Sequence, residues 1–179
     1  MRWIWVVLVV LSLGACARQE PKEPPQPAPQ QQTSSLRVAF STLMSSTRDI
    51  GVRTGEDVLL KWKDEAKLLE TKLADLPERS ELDQQELEVV RAFVSRIDAA
   101  LAVKSIQAQV EAAVKKATGR ASLDRAAMDR ERSRLRESDT TFKALDDRLA
   151  VADRRYTDAT NQLAQAMEAH ARLVATSKG

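Results

Sequence analysis

The feature that most constrains this chain is a heptad series in its last third. Counting by sevens from Ala121 gives Met128, Leu135, Phe142, Leu149, Tyr156, Leu163 and His170, with Leu145, Ala152, Ala159, Ala166 and Leu173 on the neighbouring edge. Apolar residues spaced three and four apart lie on one stripe of an α-helix, and a stripe this narrow needs a partner helix to bury it. Residues 121 to 177 are therefore predicted as one helix, about 84 Å long if straight. Asp124, Glu131 and Ser138 fall on the second edge near its start and weaken the seam there.

Two earlier stretches carry the same period. Leu59, Trp62, Ala66, Leu69, Leu73 and Leu76 form a seam over about 56–76 that stops at Pro77, before which helical geometry is disfavoured. Ser80 and Asp83 have the spacing of a capping box and open a helix over about 80–118, striped by Leu87, Val90, Val94, Ile97 and Leu101. The stripe then slips to Val103, Ile106, Val110, Ala113 and Ala117, a shift that rewinds a coiled coil locally. A first helix over about 36–50 rests on Leu36, Phe40, Leu43 and Ile50, before Gly51 and Gly55 interrupt a Ser/Thr-rich stretch.

The fold class follows: all-α, an elongated antiparallel helical hairpin or three-helix coiled-coil-like bundle. Strands are disfavoured because turn residues are scarce in the body of the chain, where only Gly51, Gly55 and Gly119 remain of the glycines, and five of the six prolines crowd into 21–29. Gly119 decides the topology. As a turn it folds the second helix back on the third; otherwise 80–177 is one continuous helix that must self-associate. An interior glycine costs a helix only about 1 kcal/mol, so composition leaves both open. The hairpin is favoured because it buries the stripes of the earlier helices within one chain.

The amino terminus carries different chemistry. Arg2 precedes an apolar run from Trp3 to Leu13 that is too short to span a bilayer as a helix and has the form of an export signal. Leu13, Gly14, Ala15 and Cys16 follow, and these four residues resemble the lipobox of bacterial lipoproteins. The resemblance implies a signal peptide over 1–15, acylation of Cys16, and anchorage in a lipid bilayer through that residue. Ala17, where enterobacterial lipoproteins retained in the inner membrane commonly carry aspartate, implies sorting to the outer membrane with the body facing the periplasm. Residues 16–35, rich in Pro, Gln and charge, bury too little apolar area to order themselves and are expected to form an extended tether of up to about 60 Å. The helical domain then covers 36–179.

Charge offers one anomaly. Overall the balance is +2, which gives no global attraction to polyanions. Residues 104–136 nonetheless hold nine basic side chains against four acids, and 77–98 hold six acids against three bases. In the hairpin, Arg130, Arg132, Arg136, Lys115 and Lys116 gather at the end far from Pro77 and form a candidate patch for an anionic partner such as peptidoglycan. Within 104–136, Arg120 with Asp124, Arg125 with Asp129, Glu111 with Lys115 and Glu131 with Arg134 sit three or four residues apart, where they support the helix instead. Nucleic acid is not expected as a partner, since no aromatic residue interleaves with the arginines. Trp62, on a seam, is read as a core residue or a contact for a protein partner. The terminal Thr176, Ser177 and Lys178 resemble the lysine end of peptidoglycan-linked outer-membrane lipoproteins, except that Gly179 follows the lysine here.

One Cys and one His leave no disulfide framework and no cysteine-built zinc site, and a Cys-His or Ser-His pair of ordinary form lacks members. No Gly-rich phosphate loop or nucleophile elbow occurs, and His170 falls on the heptad seam, where packing is the ordinary role. No catalytic residue, metal site or cofactor is expected. The sequence thus points to a non-catalytic envelope lipoprotein, either a helical tether, spacer or accessory subunit, or a regulatory or chaperone-like binding lipoprotein. Its helical seams supply the surface for a protein partner or for homo-oligomerisation.

Overall fold

A computed structural model describes residues 29–46, 50–120 and 123–176. All its regular structure is helical: α1 Pro29–Ser45, α2 Glu56–Ala74, α3 Glu81–Thr118, α4 Arg125–Ser138 and α5 Thr140–Thr176. No helix among the described residues is long and apolar enough to cross a membrane. The backbone of the molecule is the antiparallel pair of α3 and α5, each about 57 Å long. Gln85 near the start of α3 donates to the carbonyl of Ala166 near the end of α5 (3.2 Å). α2 runs antiparallel to α3, stitched by Arg91 to Glu70 (2.9 Å) and Lys63 to Asp98 (2.6 Å).

The ends of α3 are written into its sequence. At its start, the Ser80 hydroxyl accepts from the Asp83 amide (3.2 Å) while the Ser80 amide donates to the Asp83 carboxylate (2.9 Å), closing the capping box. At its end Gly119 adopts φ 64°, ψ 13°, the left-handed conformation that terminates helices and that side-chain-bearing residues avoid. Gly119 is therefore a turn, and the continuous 80–177 helix is overturned.

The helix predicted over 121–177 is two helices. Asp139 leaves helical geometry (φ −126°, ψ 109°), its amide bonded to the Leu135 carbonyl (2.8 Å). Its carboxylate accepts from the amides of Thr141 (2.8 Å) and Phe142 (3.1 Å), capping α5. Arg132 bonds Asp146 across this break. In a straight helix those residues would lie about 21 Å apart, so α4 folds back against α5. The heptad count passed through this corner because Leu135 and Phe142 remain buried on either side of it.

α1 also differs from expectation. It starts at Pro29, within the stretch read as extended tether, and stops at Ser45 rather than residue 50. Proline suits the first turn of a helix, where its missing N–H is not needed, and the glutamines that follow are good helix formers.

Burial divides into two clusters. At the base, where α1, α2, α3 and α5 meet, the core is built from residues such as Leu59, Leu73, Phe93 and Ile97, with Leu163 from α5. Toward the tip, α3, α4 and α5 enclose Val110, Val114, Leu135, Phe142 and Leu149. Between the two, the α1–α2 connection is pinned by α3. Arg96 donates to the Ile50 carbonyl (2.7 Å), and Lys104 to those of Val52 (3.1 Å) and Thr54 (2.8 Å).

Candidate functional site

The predicted cationic patch lies on α3, α4 and the turn between them, and the structure divides its members into two groups. Arg132 and Arg136 both converge on Asp146 of α5, a residue 3 % exposed, and Arg136 also bonds Asp147 (2.6 Å). The Asp146 and Asp147 carboxylates hold the Arg136 guanidinium above its usual pKa. These two arginines are ties between α4 and α5, with their charge met inside the chain. Arg134 pairs with Glu131 (2.7 Å), and Lys104 is spent on the α1–α2 connection. Lys115, Lys116 and Arg130 of the predicted set remain exposed, and no ion pair engages them among the described residues. The usable patch is therefore smaller than the sequence surplus, because local charge counting cannot see an acid that arrives from a later helix.

Trp62 is half-buried and packs against the base core, as a seam position should. It does not line the apolar groove of ≈ 740 Å³ between α1 and α2, whose walls include Leu36, Leu43, Leu69 and Leu76. Cys16, the predicted acylation site, lies outside the described residues, as do Lys178 and Gly179.

A node missed by the sequence reading sits at the base. Glu86 of α3 is 3 % exposed, and its Oε1 lies 3.7 Å from Nε2 of His170 on α5. Among the described residues, neither Glu86 Oε2 nor His170 Nε2 has a hydrogen-bond partner. The His170 ring is tilted against Phe40 of α1, 4.9 Å between centroids. Burial raises the Glu86 pKa, opposed by the positive charge of Arg37 and reinforced by the negative charge of Asp83. Burial lowers that of His170. Both groups are thus biased toward their neutral forms, which suits a packing contact among three helices. The heptad count did place His170 on the buried seam, but nothing local marked Glu86 as its neighbour.

Among the described residues no group of His, Cys, Asp and Glu is arranged to hold a metal ion. Comparison with known proteins gives no match to any family model, curated protein or solved structure.

Proposed function

We propose that the chain is a non-catalytic lipoprotein of the bacterial envelope, anchored through acylated Cys16, whose helical body serves as an accessory, partner-binding subunit facing the periplasm. The lipobox-like Leu13-Gly14-Ala15-Cys16 supports the anchor, since two or three acyl chains hold a protein stably on a bilayer where one chain would be reversible. Ala17 supports the outer membrane as its destination. One observation carries the choice between a spacer that self-associates and a folded module: the heptad residues Leu135, Phe142, Leu149 and Leu163 are buried by helices of the same chain. A seam filled internally does not need a second copy.

The exposed Lys115, Lys116 and Arg130 give this module a cationic face for an anionic partner, of which peptidoglycan is the one at hand in that compartment.

Two measurements test the reading. Metabolic labelling with a fatty-acid probe should mark the wild-type chain and vanish in Cys16→Ser; persistent labelling overturns the anchor. Sedimentation of the detergent-solubilised chain should give a monomer. A stable oligomer returns the role to a self-associating spacer.

A further inference from the structure

The pair of α3 and α5 is covered by α2 at its base and by α4 near its tip, yet along one side no helix among the described residues covers it. That side is an apolar groove of ≈ 750 Å³ walled by α3 and α5 alone. It continues into a second stretch of ≈ 630 Å³, the two sharing Ala144 and Arg148. Ile106 and Ala152 are among its lining residues, and Val151 stands 44 % exposed within it.

The rim is asymmetric in charge. The three acids that line it are already engaged: Asp98 with Lys63 (2.6 Å), Asp147 with Arg136 (2.6 Å), and Asp139 with the amides of Thr141 (2.8 Å) and Phe142 (3.1 Å). Arg148, Arg155 and Lys116 also border the groove, are exposed, and have no ion-pair partner among the described residues. Arg148 and Arg155 are seven residues apart on α5, two turns along one side of the helix. The groove therefore presents an apolar floor with an unsatisfied positive edge.

We propose that this groove seats one amphipathic helix of a partner protein, apolar on the face turned inward and carrying acidic side chains about seven residues apart on the edge that meets Arg148 and Arg155. The dimensions agree. Ser95 to Ala117 spans about 33 Å of α3 and Thr141 to Ala159 about 27 Å of α5, the length of a helix of roughly twenty residues. A second copy of this chain is a poor occupant, because a two-fold contact through this face brings the same arginines to both sides. The chain's own residues 17–28 are poor occupants too, since Pro21, Pro24, Pro25 and Pro27 break any helix they would need to form. The inference names the class of partner for the binding module proposed above and rests on that reading.

The test uses the full chain in detergent micelles and two fluorescent twenty-residue helical peptides. They share one Ala/Leu face and differ only in carrying Glu or Lys at two positions seven apart. Anisotropy titration should show the Glu peptide binding about twofold to thirtyfold more tightly, the range for two exposed ion pairs, with the preference shrinking as salt is raised. Arg148→Glu combined with Arg155→Glu should invert the order. Ala102→Arg, which fills the groove, should abolish binding of both while leaving the circular dichroism spectrum unchanged. Equal affinity for the two peptides, binding of neither, or self-association of the chain that Ala102→Arg abolishes overturns the proposal. None of these outcomes alters the acyl labelling of Cys16, so failure of the groove and failure of the anchor are read separately.

Discussion

The base and the tip of the molecule are held by different physics. At the base four helices enclose large apolar side chains, with Leu59, Leu73, Phe93 and Ile97 all fully buried. The tip has three helices and a thinner core, and its outermost helix, α4, is strongly polar: Leu135 is its one buried residue. What fastens α4 is the pair of arginines on Asp146. The contrast teaches that an elongated bundle need not be uniformly stable. The base relies on close packing, whereas α4 at the tip depends on charges whose partners come from another helix.

The comparison can be broken most sharply at Phe93. Phe93→Ala should cost roughly 3–5 kcal/mol, read by chemical denaturation as a lower midpoint, and hydrogen exchange should show α2 and α3 opening together. At the tip, Arg132→Ala combined with Arg136→Ala strands the Asp146 carboxylate, 3 % exposed, and should lower the denaturation midpoint by less than Phe93→Ala does. Its signature should be local: amides of α4 should lose protection while those of α2 keep theirs. If the two substitutions melt the whole molecule together, the base and tip are one cooperative unit. Gly119→Ala should cost about 1 kcal/mol, from strain at a positive φ, since among the described residues nothing lies within 4 Å of the position of an added Cβ. Thermal melting resolves a change of that size.

The smallest effects concern pH and belong to the base. The Glu86 pKa is raised in the folded chain, so its contribution to stability is fully present below about 4.5 and is lost as pH rises through the folded value. The His170 pKa is lowered, so its contribution is present above about 6.5 and is lost as pH falls through the folded value. Denaturation midpoints measured from pH 4 to 8 should therefore carry two opposed limbs in the wild type, a fall as pH rises above about 4.5 and a fall as pH drops below about 6.5. Glu86→Gln should remove the loss toward high pH, and His170→Leu the loss toward low pH. The unchanged limb in each variant serves as the control. A tip variant such as Arg136→Ala should leave both of these limbs in place.

Much of the fold was legible because helical periodicity is local. The seam of α2, the capping box at Ser80 and the all-α class needed only residues three or four apart. The heptad series identified Leu149 and Leu163 as buried without saying what covers them. The break at Asp139 was missed although its signal is present: Asp139 followed by Thr140 and Thr141 is a good helix start, overlooked because the apolar count ran on through it. The site was less legible. Arg132 and Arg136 look from the sequence like surface cations open to an anionic partner. Their partner, Asp146, becomes a neighbour only once the corner at Asp139 folds α4 back.

The sequence by itself determined that the body of this chain is helical, where α2 and α3 begin and end, and which stripe of each is apolar, because backbone hydrogen bonding and side-chain spacing act over single turns. Only the tertiary structure decided that Gly119 turns the chain, that the seam is filled from within, which cations are spent on internal acids, and that one side of α3 and α5 is left open. Those outcomes depend on which stripes meet. Burial of apolar surface is non-directional, so the pairing is chosen by the packing of the whole chain.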